Sequence, residues 1–122
     1  MAAVARVTDQ PASGPGSGAA IDTEHLSRMT LGELSLQREV LALFDRQADM
    51  LLPRIRQGAP ATAAASAHTL KGSAVGIGAF KVARAVEEVE QAKDTAITAA
   101  VDTLAAVLDE AKAEIARLLQ VA

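Results

Sequence analysis

Residues 67–90, AHTLKGSAVGIGAFKVARAVEEVE, hold the end of one helix and the start of another, and the rest of the chain is read outward from them. At about 100° per residue, His68, Lys71, Gly72 and Val75 fall within a wedge of roughly 100°. Ala63, Ala67, Leu70 and Ala74 fall within a second wedge, centred roughly 120° away. The second wedge packs inward and the first looks outward. His68 is therefore turned from the core, beside a cation and a residue without a side chain. An outward histidine in that company is a candidate phosphate acceptor. Gly76 and Gly78 break this helix, and the next, from about Ala79 to Lys93, turns Val82, Ala83, Val86 and Val89 inward.

Upstream, Gly58 is a stop and Pro60 suits the first turn of the helix that carries His68. Before it, Thr30-Leu31-Gly32-Glu33 has the spacing of a capping box, with Met29 and Leu34 set to form the hydrophobic staple. A long helix is expected from there. Leu34, Leu41, Phe44, Ala48, Leu51, Leu52 and Ile55 form its inner face, and Arg38, Glu39, Asp45, Arg46 and Asp49 the outer one. Pro53 removes one backbone donor and is expected to kink its last turns. A short helix from Ile21 to Met29 precedes it, with Asp22 or Thr23 near its start and His25 as an incidental exposed residue. Downstream, a last helix from about Thr95 to Gln120 turns Ile97, Val101, Leu104, Leu108, Ile115 and Leu118 inward. Short connections between four long amphipathic helices predict an all-α fold, an up-down-up-down antiparallel four-helix bundle with a short extra N-terminal helix.

Residues 1–19 end in Pro11-Ala12-Ser13-Gly14-Pro15-Gly16-Ser17-Gly18, too poor in apolar groups to order themselves, and read as a flexible tail. Residues 20–122 form the bundle. Met1 and this lead are expected of a freestanding protein.

The chain has 122 residues, the size of one small domain with one core. Roughly a quarter of it is Ala, and Trp and Tyr are absent, which suits closely packed helices and not a sandwich of sheets. With no cysteine, disulfides, thiolate zinc sites and a cysteine nucleophile are excluded, and a reducing cytoplasm is the default. A formal charge of −3 without a Lys/Arg cluster argues against nucleic acid. No apolar run is long enough for a bilayer, and Arg6 and Asp9 interrupt the opening before a signal-peptide core can form.

The stretch AHTLKGSAVGIGAFKVARAVEEVE resembles the signature of the histidine-containing phosphotransfer (HPt) domain family, in which histidine, lysine, glycine and a later glycine recur at this spacing. The similarity extends to Ile21, Asp22 and Leu26 and to Leu41, Leu43 and Phe44, so it covers everything after the tail. The resemblance implies a phosphorelay carrier, whose histidine takes a phosphoryl group from a receiver-domain aspartate and passes it to another receiver. It implies receiver domains of response regulators or hybrid histidine kinases as partners. It also implies that Glu90 reaches the histidine and orients its imidazole.

The residues suit that chemistry. Imidazole titrates near physiological pH, so its free nitrogen can attack phosphorus in line, and His68 is the expected nucleophile. Lys71, one turn on, can approach the phosphoryl oxygens, since phosphoryl transfer needs positioning and charge stabilisation. Gly72, at i+4, leaves the imidazole open to an approaching receiver, although glycine inside a helix costs about 1 kcal/mol relative to Ala. Glu90 lies at the edge of the apolar face of its helix, whereas Glu87 and Glu88 are expected to point elsewhere. Ser73 could contact the phosphoryl group or bond its own helix backbone.

No metal or cofactor site of its own is expected; Mg2+ belongs to the partner receiver, which brings its own aspartates. The lack of a nucleotide-binding glycine loop and its magnesium-binding motif, in a chain too short for a second domain, argues against a kinase that uses ATP, and neither histidine sits in an inward Glu-x-x-His pair of a di-iron bundle. The expected molecule is a cytoplasmic monomer that touches neither nucleic acid nor membrane. The competing function is a non-catalytic helical module that docks a receiver or helix without carrying phosphate.

Overall fold

Five helices form the regular structure of residues 19–121, the part of the chain described by the computed structural model. They are α1 (Thr23–Met29), α2 (Leu34–Gln57), α3 (Pro60–Ile77), α4 (Phe80–Gln91) and α5 (Ala96–Val121). No strand occurs among the described residues. The tail expected over residues 1–19 lies, apart from Ala19, outside them.

Each long helix buries one stripe. Phe44 of α2, Leu70 of α3, Val82 and Val86 of α4, and Leu104, Leu108 and Ile115 of α5 are fully enclosed. Each such side chain contributes about 1.5–3 kcal/mol relative to exposure. Buried alanines, including Ala48, Ala67, Ala74, Ala83 and Ala111, fill the space between them and let the helix backbones approach. α2 packs on α3, α3 on α4, α4 on α5 and α5 back on α2, which closes a four-helix bundle. α1 lies against α3 and adds Leu26 to the core, joined by Ile21 just before the helix.

The α3 boundaries follow from local chemistry. Pro60 occupies its first turn, where a missing N–H is harmless. Gly78 ends it at φ +84°, a left-handed conformation that glycine adopts without steric cost. The helix runs through Gly76 to Ile77, so of the two glycines expected to break it only Gly78 does. At the other end of the molecule's helical order, Asp22 caps α1, its Oδ1 accepting from the amide of His25 at 3.0 Å.

The α1–α2 junction departs from the expected capping box. The Thr30 hydroxyl donates to the carbonyl of Leu26 at 2.8 Å, so it closes α1 and does not open α2. The amide of Gly32 donates to Ser27 and that of Leu31 to Arg28, the paired bonds of a left-handed helix stop, with φ of 54° at Leu31 and 74° at Gly32. α2 therefore begins only after Glu33, whose side chain makes no cap bond. Met29 and Leu34 are 59% and 64% exposed, so the expected staple does not form.

Three side chains also differ from expectation. Leu34 and Ile97, expected on the inner faces of α2 and α5, are 64% and 42% exposed in the first turns of those helices, whereas Leu52, Val89 and Leu118 are partly buried and pack against the core. His25 is half-buried; its ring meets Phe80 edge-on at 5.1 Å between centroids, and its Nε2 is buried without a hydrogen-bond partner. Its position follows from the docking of α1 over the α3–α4 corner, which periodicity within a seven-residue helix does not reveal.

Candidate functional site

α3 presents two different faces. Ala67, Leu70 and Ala74 are buried against the other helices, as expected, joined by Ser66 and Ile77; His68, Gly72 and Val75 are exposed on the opposite side, with Ala64 and Ala65 a turn earlier. The imidazole of His68 stands in solvent, and among the described residues it has no hydrogen-bond partner. Helix geometry sets Lys71 and Gly72 beside it, about 5–6 Å between neighbouring positions.

A Cβ added at Gly72 meets nothing within 4 Å. Packing therefore does not require glycine here. Gly76, one turn further, is equally open. These two positions leave a bare strip of backbone leading away from His68.

Lys71 leans toward α4. Its Nζ donates to Glu90 Oε1 at 3.1 Å and lies 4.0 Å from Glu87 Oε2. Glu90 is thus brought to the lysine, and no hydrogen bond joins it to His68 among the described residues. Glu88 points to solvent as expected, but Glu87 does not point elsewhere: it shares the Lys71 side of α4 with Glu90. The signal for this was their i, i+3 spacing, which puts two carboxylates on one strip of a helix.

Ser73 does not share the exposed strip. It is half-buried and lines an apolar groove between α3 and the α1–α2 pair, together with Gly76, Leu36, Val40, Leu43 and Met29. Periodicity carries a signal for this groove too. Leu36, Leu43 and Met50 recur every seven residues on α2, and all three are exposed, so α2 bears a second apolar stripe beside its core face.

Among the described residues no cluster of His, Asp or Glu could hold a metal ion, and no helix is long and apolar enough to cross a membrane. What the site offers is a nucleophilic ring in the open, a cation one turn away with carboxylate partners, and unobstructed backbone.

Residues 36–120 match the family model of the Hpt domain, and the chain belongs to that family. No match to the chain is found among curated proteins or among solved structures. Hpt domains are phosphocarriers of two-component phosphorelays and not kinases, and receiver domains are the proteins they interact with.

Proposed function

We propose that this chain is a phosphorelay intermediate in which His68 accepts a phosphoryl group from a receiver aspartyl phosphate and hands it to a second receiver. The observation that carries this reading is the open Gly72 beside an exposed histidine. Glycine inside a helix costs about 1 kcal/mol, and nothing in the packing explains it. Access to the imidazole does.

The transfer balances without a further reagent. A lone pair on one imidazole nitrogen forms the N–P bond as the aspartyl O–P bond breaks, and the electron pair leaves on the aspartate oxygen. The proton on the other ring nitrogen then passes to water. Lys71 supplies positive charge to the phosphoryl oxygens, and the receiver supplies its own Mg2+. The orientation role that the family resemblance gives to Glu90 requires its carboxylate to serve the imidazole as well as Lys71; with two oxygens it has the acceptor capacity. Ser73, set in the groove, is better placed to meet the receiver than the phosphoryl group.

The receiver would cover the His68 strip and continue into the apolar groove lined by Leu36 and Leu43, which adjoins it through Gly76. The four long helices are read as running up-down-up-down, since Gly58-Ala59, Gly78-Ala79 and residues 92–95 are short links between neighbours. We read residues 20–122 as the carrier domain, a cytoplasmic monomer. Its charge of −3 favours protein partners over nucleic acid.

The test is incubation with several phosphorylated receiver domains, following acid-labile phosphate on the wild type and on His68→Gln. Labelling of the wild type alone is expected. Absence of labelling with binding retained would replace this reading by a docking module that carries no phosphate.

A further inference from the structure

Lys71 is the cation nearest His68 in sequence on α3, and in the free protein it is already engaged. Glu90 takes it in a hydrogen bond at 3.1 Å and Glu87 stands 4.0 Å away, so two negative charges surround one positive charge. The lysine side chain is 29% exposed, and its two carboxylate partners set its ammonium on the α4 side of the site. An arriving phosphoryl group carries about −1.5 to −2 charge. It must draw the ammonium away from those carboxylates or bind beside them.

We infer that Glu87, with Glu90, restrains Lys71 and so lowers the affinity of His68 for the phosphoryl group, biasing exchange toward the receiver. The inference rests on the carrier reading above and deepens it, by naming what sets the direction of an exchange that is reversible bond for bond. Glu87 acts through Lys71 and is a positioning residue. A carrier benefits from such restraint, because a histidine that held its phosphate tightly would stop the relay.

Glu87→Gln isolates the effect, because the Glu87 side chain is 54% exposed and its one ion pair is with Lys71, so the exchange is expected to leave folding intact. The wild type, Glu87→Gln, Lys71→Met and the double variant are each mixed with one phosphorylated receiver, and the phosphate is followed to equilibrium between the two proteins. Glu87→Gln is expected to shift the partition two- to five-fold toward His68, the size of one exposed charge interaction. The shift should shrink in 1 M salt, where the screening length is about 3 Å. In the Lys71→Met background it should vanish. An unchanged partition, or a shift that persists without Lys71, overturns the inference while leaving the carrier reading intact. A wild type that takes no phosphate from any receiver overturns both.

Discussion

The amide of Asp22 donates to the carbonyl of Gly78 at 2.9 Å, so the residue that ends the His68 helix also anchors the start of α1. Asp22 meanwhile caps α1 through its side chain. One contact thus fixes the short helix against the helix that carries the histidine, and with it the wall of the groove formed by Leu26 and Met29.

Gly78→Ala should break that arrangement. The left-handed φ of +84° costs a residue with a Cβ about 1–2 kcal/mol. The added Cβ would also lie 2.7 Å from the Asp22 carbonyl oxygen, so the backbone must shift, at about 1–3 kcal/mol more. Urea unfolding should show a lower midpoint with an unchanged slope. A midpoint equal to that of the wild type would mean that α1 is not held as described.

Gly72→Leu should do the opposite to stability and harm function. No neighbour lies within 4 Å of the new Cβ, and replacing glycine inside a helix recovers up to about 1 kcal/mol. The leucine would stand over the imidazole, where a misplacement of one ångström is enough to cost about 100-fold in rate. Thermal unfolding should rise while transfer from a phosphorylated receiver falls more than about ten-fold. Normal transfer would defeat the access argument.

The exposed face of α3 was legible because His68 and Lys71 share a wedge apart from Leu70, although alanines lie on both faces, and the αL stop at Gly78 was legible because glycine ends the run. Thr30 was not, because a threonine between two helices can accept from the following amides or donate to the preceding carbonyl, and only the Leu26 contact decides. The Leu36–Leu43–Met50 stripe was missed for a related reason: an apolar stripe left for a partner has the same period as one buried in the core. Glu87 was misjudged because its direction depends on how α4 is rotated against α3, which is a property of packing and not of α4 alone.

Lys112 of α5 joins two carboxylates of α2, donating to Asp45 and, at 2.7 Å, to Asp49. Partial burial disfavours its charge, but the hydrogen bonds and charges of Asp45 and Asp49 outweigh this and raise its pKa above the usual lysine value. A raised folded-state pKa means that the stabilisation is complete below the ordinary value of about 10.4 and is lost as pH rises through the raised one. Since both carboxylates are well exposed, solvent screening keeps the contribution to about 0.5–1 kcal/mol. Lys112→Met keeps an apolar stem and should be less stable by that amount at pH 7, with the gap closing above pH ~10.5. A gap that stays constant across that range would assign the loss to packing.

Leu43→Glu tests the groove separately from the histidine. Leu43 is 47% exposed, so its replacement should change folding stability by no more than about 1 kcal/mol. If the receiver covers the groove beside Gly76, a buried carboxylate there leaves an unpaired charge in the interface. The affinity for receiver should then fall at least about ten-fold, or 1.4 kcal/mol. Phosphoramidate, a small donor that needs no docking surface, should label His68 in the variant as in the wild type. Titration of a receiver domain and labelling by phosphoramidate together separate the possibilities. Loss of both would place Leu43 in the support of the histidine itself, and unchanged receiver affinity would move the docking surface off the α2 stripe.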